Sequence, residues 1–395
     1  MNLNCDYTKK HLAIVTGDGK ISPCCQYIDN RFHDNQKYYE IKTLDNTNDL
    51  NSVLRSDLWK NIRKDLDVGT KINGCRICWK TESTGNSSKR NWANKLFNDD
   101  KIILEDLELS LDHTCNMMCR VCRPEQSSVW NAANDVVEKF YNMRPHVYSL
   151  NKYVSSYPKK IKKVLDKTDL SHIKNIRLVG GEPFFSKNID WLINKLYTTA
   201  DVNELWFAIN TNGSVFPKKN VLDKLKQFKK ISIDLSIDAI GDLANCIRHG
   251  VDWDVVYKNI IKWKDFSEEY KNVKVSIHST ISILNCNKMQ EVVDFCETNN
   301  LNFSFHKVTD PDFYDLCQLP EEKRNNWKVE TNFLDNKMLK ELNNCLTKSV
   351  PVKNNLYDLE SALLILDNHF KIAFEKINPE IWNLIQEYKN YYGDI

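Results

Sequence analysis

Cys115, Cys119 and Cys122 form a C-x3-C-x2-C run in the segment LELSLDHTCNMMCRVCRPEQSSVW. Three thiolates so close in the chain can hold three irons of a [4Fe-4S] cluster, because iron–sulfur clusters take thiolate ligands. With no fourth cysteine nearby, one iron keeps an open site for a substrate or cofactor. Zinc competes for the same thiols. Structural zinc wants four ligands, and the step from His113 to Cys115 is too tight for His113 to serve easily as the fourth.

The chain has 13 cysteines, and a second group precedes the first. Cys5 comes ahead of the adjacent pair Cys24 and Cys25, and Cys75 and Cys78 form C-x2-C. The remaining five (Cys246, Cys286, Cys296, Cys317 and Cys345) are dispersed and read as small buried or half-buried side chains. Cys296, for instance, shares a helical face with Met289, Val292 and Val293.

These groups need elements to position them. From about 101 to 310, six short apolar strands alternate with helical stretches: LELSLDH, IRLVGG, ELWFAIN, ISIDLSID, VKVSIHSTI and NFSFHKV. Such alternation predicts βα units and a parallel sheet. Parallel strands covered by helices on both faces should be continuously apolar, but here Ile231, Ile233, Leu235 and Ile237 alternate with Ser232, Asp234, Ser236 and Asp238. One face suits helix packing; the other is polar and, in a curved sheet, lines a wet interior. The expected fold is α/β, a partial (β/α)6 TIM-like barrel. The cysteine run falls in its first βα loop, at the strand ends where such barrels keep their active sites. The polar face offers Glu108, Asp112, Asp234, His278, Thr280 and His306. His278 and His306, on neighbouring strands, are the pair expected to serve as catalytic acid or base.

Lys+Arg 55 against Asp+Glu 53 in 395 residues leaves a formal charge of +2. This argues against nucleic-acid binding by bulk charge. No apolar run is long enough to span a membrane, and the first ten residues lack the apolar core of a secretory signal. The expected location is cytoplasmic.

The cysteine run after a first strand, followed by Gly180-Gly181-Glu182-Pro183 after the second, resembles the radical S-adenosylmethionine (radical SAM) superfamily. The resemblance implies that Cys115, Cys119 and Cys122 bind a [4Fe-4S] cluster and that S-adenosyl-L-methionine chelates its open iron. Gly180, Gly181, Glu182 and Pro183 would then receive the cofactor's amino group. Asn210 and Asn212 match an Asn-Gly element after the third strand, and Ser236 and Asp238 match a polar ribose contact at the end of the fourth. Arg248 and Asn285 are further cofactor contacts on the same reading. Val121 departs from the family, which usually has an aromatic residue before the third cysteine.

The G-x4-C spacing of Gly19 to Cys24 and the distal C-x2-C resemble the auxiliary-cluster "twitch" fold of some superfamily members. Together with SSVW after Cys122, the chain looks most like radical SAM proteins with an N-terminal twitch module. By that resemblance Cys5, Cys24, Cys75 and Cys78 hold a second [4Fe-4S] cluster, with Cys25 spare; zinc on the same four thiolates is the structural rival. The domain scheme is then a twitch module at 1–82, a linker at 83–102, the barrel at 103–310 and a helical extension at 311–395. The aromatic residues of that extension, Tyr391 and Tyr392 among them, read as packing. The implied activity is reductive cleavage of S-adenosylmethionine to a 5′-deoxyadenosyl radical that abstracts hydrogen from a peptide, protein or small molecule. A reductase or flavodoxin-like donor would supply the electron. The alternative from another class is a non-catalytic metal-binding scaffold or interaction protein.

Overall fold

The computed structural model describes residues 3–27, 41–83, 87–97, 99–144, 156–308, 310–348 and 354–390; Tyr391 and Tyr392 lie outside the described residues. Seven strands make the main sheet: β1 (His11–Ile14), β2 (Asp106–Ser110), β3 (Asn175–Val179), β4 (Trp206–Thr211), β5 (Lys230–Ser236), β6 (Val273–Ile281) and β7 (Asn302–Lys307), side by side in that order. The registers β1–β2, β2–β3, β3–β4 and β6–β7 are parallel. Helices follow the strands, as in Ile189–Thr199 after β3 and Met289–Asn299 after β6. The fold is α/β with a parallel sheet, and helices close the C-terminal end.

All six strands expected from the sequence are present, and β1 is an addition. HLAIVTGDGKISPCC reads as a hairpin, but β1 pairs with β2 from His11–Asp106 to Ile14–Leu109. The hairpin keeps only an Ala13–Ser22 bridge, while Lys20–Ile21 pairs antiparallel with Lys42–Thr43. The reason is burial. Leu12, Ala13 and Ile14 are wholly buried, and a two-stranded hairpin cannot cover both faces of such a strand.

The chain divides into two compact units. The first comprises 1–113, 153–209 and 218–231; the second comprises 114–152, 210–217 and 232–395. In the first, part of the segment expected as a polar linker is a helix, Lys89–Leu96. Ser88 and Asn91 form a reciprocal capping box at its start, which satisfies end donors that low hydrophobicity alone does not reveal. Arg90 and Asn94 of this helix donate to the Asn4 carbonyl at 3.0 and 2.8 Å, bracing the chain beside Cys5.

In the second unit β6 shows the expected period of two. Val273, Val275, Ile277, Ser279 and Ile281 are buried, while the intervening residues are half-buried or exposed. Met289, Val292, Val293 and Cys296 form the buried face of the following helix. The extension holds Asn336–Thr347, Leu356–Phe370 and Pro379–Tyr388 as helices. Among the described residues no helix is long and apolar enough to cross a membrane.

Candidate active site

In the second unit the three-cysteine loop is tied down from within its own sequence. Ser128 Oγ accepts the Cys115 amide at 3.0 Å, and Ser127 Oγ donates to the Met117 carbonyl at 3.1 Å. Trp130 Nε1 donates to the Cys119 carbonyl at 2.8 Å, so the SSVW segment holds three points of the loop. Met118 and Cys119 also pair antiparallel with His249 and Arg248.

The three thiols lie within electrostatic reach of one another. Burial pushes the Cys122 thiol up to about 12, and the Cys115 thiol adds to the rise. Cys119 is raised as well, by burial first and then by Cys122 and Cys115, with the Arg248 cation opposing. Arg248 Nη1 stands 3.9 Å from Cys119 Sγ, and its Nε is 2.8 Å from Asp238 Oδ2. The other Asp238 oxygen accepts the Thr280 amide at 2.8 Å. Asn116, which the sequence reading passed over, joins Ser214 at 2.9 Å and Asn212 at 3.1 Å, and Asn212 Nδ2 lies 4.0 Å from Cys115 Sγ. Beside them is a shallow cleft open to solvent and lined by Met117, Asn212, Asp238, Asn245, Arg248 and Trp253.

Other expected contacts take different places. Asn285 is fully buried. Its Nδ2 donates to the Asp238 and Thr280 carbonyls at 2.7 and 3.0 Å, and its Oδ1 accepts the Ser282 amide at 2.8 Å. Its amide is thus committed to clamping the ends of two strands. Ser236 and Asn210 are half-buried on the polar face. His278 Nε2 and His306 Nδ1 are 2.7 Å apart. Ser304 Oγ is 2.8 Å from His278 Nδ1, and Thr280 Oγ1 is 3.4 Å from His306 Nε2. The row Ser304–His278–His306–Thr280 can hold and share a proton. Burial lowers the His306 pKa, with Arg248 adding to the fall and Asp238 opposing it.

The first unit carries the Gly180–Pro183 turn and the N-terminal cysteines. Gly180 has φ +75°, and a Cβ there would come within 2.5 Å of Ser110 Oγ. Glycine is required on both counts. Glu182 is buried and its Oε1 accepts the Phe184 amide at 3.1 Å; Ser186 and, at 2.7 Å, Asn188 donate to the Asp112 carboxylate. The Glu182 and Asp112 carboxylates therefore shape this turn.

Cys5, Cys24 and Cys75 pack against one apolar cluster that includes Leu3, Tyr27 and Ile72. Burial pushes the Cys5 and Cys24 thiols up to about 12; Cys78 adds to both, and Cys5 adds to Cys24. Cys75 rises through burial and then through Cys24, Cys5 and Cys78. Each of Cys5, Cys24 and Cys75 thus feels the Cys78 thiol. Cys25 turns to a different neighbour, accepting a hydrogen bond from Lys89 Nζ at 2.7 Å, and Lys89 also lies 3.4 Å from Glu108. Burial raises the Glu108 pKa, but Lys89 and His11 hold it below the ordinary value.

Among the described residues no three His, Cys, Asp or Glu side chains are set as a ready-made metal site. Cys115, Cys119 and Cys122 are half-buried thiols, as are Cys5, Cys24 and Cys75, while Cys78 is buried; thiolates are the donors that iron–sulfur clusters take.

Fold and site together define a class: α/β proteins with a thiol-bearing βα loop at the end of a parallel sheet. Residues 110–296 match the Radical SAM superfamily, and over that span the chain is similar to it. The superfamily implies a [4Fe-4S] cluster and S-adenosylmethionine. Molybdenum cofactor biosynthesis protein 1 of Dictyostelium discoideum is 25% identical over 226 residues, covering 55% of this chain and 31% of that protein. The GTP 3',8-cyclase of Clostridium botulinum strain Hall is 27% identical over 158 residues, covering 40% of this chain and 42% of the cyclase. The chain thus spans less than half the length of these curated relatives. Among solved structures, native anSMEcpe with bound AdoMet and Cp18Cys peptide aligns at TM-score 0.36 and 16% identity, over 56% of this chain and 57% of that one. Streptococcus suis SuiB bound to S-adenosylmethionine aligns at 0.35 and 18%, over 73% and 58%.

Proposed function

We propose that the chain reductively cleaves S-adenosylmethionine and abstracts hydrogen from a peptide, protein or small molecule. The observation that carries this reading is the set of three coupled thiols, fixed by SSVW, beside the Asp238–Arg248 pair and its cleft. Cys115, Cys119 and Cys122 would hold the catalytic [4Fe-4S] cluster, which supplies the electron that generates a 5′-deoxyadenosyl radical from the cofactor. Arg248 gives the loop a fixed cation, useful both to the thiolates and to a carboxylate entering the cleft. Asp238 holds Arg248 in place, and Asn285 holds Asp238. His278 and His306 would retain or pass a proton at their shared Nε2–Nδ1 contact.

Cys5, Cys24, Cys75 and Cys78 would hold a second [4Fe-4S] cluster. Four protein ligands leave no open iron, so this cluster suits electron transfer and the net reaction is an oxidation or a bond-forming coupling. The curated relatives' names make a nucleotide the other substrate class. The polar face of β5–β7 presents Asp234, which accepts from Ser276 at 2.6 Å, together with two histidines and Ser304. That lining favours a neutral or cationic group over a triphosphate.

Anaerobic reconstitution with iron and sulfide quantified, followed by a 5′-deoxyadenosine assay with dithionite, tests the reading. Iron for two clusters with cofactor cleavage is expected. Bound zinc without cleavage would select the metal-binding scaffold.

A further inference from the structure

Arg120 lies inside the cysteine run, between Cys119 and Cys122, and its side chain is wholly buried. Its backbone amide donates to the Ile247 carbonyl at 2.8 Å, and its Nε donates to the Cys246 carbonyl at 2.9 Å. Its Nη2 is 2.5 Å from Asp367 Oδ1, on the helix Leu356–Phe370. The guanidinium also stands 5.3 Å from the centre of the Phe370 ring. Asp367 is anchored in turn, because its Oδ2 accepts the Phe374 amide at 2.8 Å. His249 stacks on the same Phe370 ring at 4.0 Å. Gly250 is pressed so close that a Cβ would lie 2.6 Å from the Asn116 carbonyl.

We propose that Asp367 is a positioning residue for the cluster loop. It acts through Arg120 and makes the helical extension part of the catalytic centre. The proposal rests on the reading that Cys115, Cys119 and Cys122 hold a cluster, and it adds a residue outside the matched span 110–296. A buried guanidinium keeps its place only while its charge is paired. Asp367 supplies that pairing, and Arg120, the residue after Cys119, carries the constraint to the Cys246 and Ile247 carbonyls. The helix is a buttress and not a moving lid, since Leu359, Ala362, Leu363, Leu366 and Phe370 are all buried along it.

The test uses holoenzyme purified anaerobically as wild type, Asp367→Asn, Asp367→Glu and Glu360→Gln. The last breaks the Lys389–Glu360 pair on the same helix without touching Arg120. Readouts are iron retained against a chelator, the electron paramagnetic resonance (EPR) spectrum of the reduced cluster with and without S-adenosylmethionine, and the thermal midpoint. Asp367→Asn is expected to lose cluster iron several-fold faster than wild type. Asp367→Glu restores the charge and the retention but leaves a shifted spectrum, because the carboxylate is displaced by one methylene. Glu360→Gln keeps both at wild-type values. Wild-type retention and spectrum in Asp367→Asn would overturn the proposal. So would equal losses in Glu360→Gln. If Asp367→Asn does not fold, a wild-type spectrum in Asp367→Glu overturns it and a shifted one supports it. A wild-type protein with no iron–sulfur signal would instead overturn the function on which the proposal rests.

Discussion

Arg248 Nε stands 2.8 Å from Asp238 Oδ2, and both side chains are largely shielded from water. Removing one member of such a pair strands the other as a buried charge, which typically costs about 3 kcal/mol or more. Asp238→Asn is therefore expected to lower unfolding stability by about 3 kcal/mol in urea titrations and to weaken S-adenosylmethionine binding. Arg248→Gln should weaken binding as well. Unchanged affinity in both variants, measured by equilibrium dialysis, would detach this pair from the cofactor.

Gly180 combines a positive φ with a neighbour, Ser110 Oγ, that occupies the space a side chain would need. Gly180→Ala meets both penalties, so a loss of about 2 kcal/mol is expected from left-handed backbone strain and overpacking together. The same substitution at Gly241, where φ is +60° but nothing lies within 4 Å, meets only the first and should cost less. Equal denaturation midpoints for the two variants would show that the Ser110 contact does not matter.

If Cys5, Cys24, Cys75 and Cys78 hold a second cluster as proposed, labour is divided between two clusters. Changing Cys75 and Cys78 together to alanine should remove about half of the reconstituted iron, since each cluster holds the same number of irons. Cofactor cleavage to 5′-deoxyadenosine should persist while turnover of the true substrate stops. Substrate turnover at the wild-type rate would sink the electron-transfer role. Cys25→Ala should leave iron content unchanged, because Cys25 is turned toward Lys89.

What the sequence made legible was local. The period-two alternation of β6, the spacing of Cys115, Cys119 and Cys122, and the Gly180–Pro183 turn all act over a few residues, and the strands appear where the pattern puts them. Long-range pairings were not legible. Arg120 and Asp367 are 247 positions apart, and nothing in RVC or LDN marks either as a partner. Asn285 was visible as a polar residue at a strand end. Its two carbonyl partners are backbone groups, which carry no sequence signal, so its clamping role could not be read. The helix Lys89–Leu96 was hidden because its polar composition resembles a linker and its stability comes from the cap and from Asn4. The edge strand β1 needed knowledge of β2, about a hundred residues away.

The histidine pair gives a pH dependence whose sign follows from the lowered His306 pKa, although the ring itself stays exposed on the sheet's polar face. His306 is held below its ordinary value of 6.5, so the unfolded chain takes up a proton at a higher pH than the folded one. Stability then falls as pH drops below about 6.5, where the unfolded state begins to bind the extra proton, and levels off once pH is below the folded value. The groups facing the ring set how far this goes. Burial favours the neutral form, Arg248 disfavours a second cation, and Asp238 works in the opposite direction. His278 shares the proton at 2.7 Å. Wild type should therefore show a lower thermal midpoint at pH 5.5 than at pH 7.5, and His306→Gln should shrink that difference because glutamine does not titrate. If His306→Gln keeps the full wild-type difference, the acid sensitivity belongs to other groups and His306 is not held neutral by its surroundings.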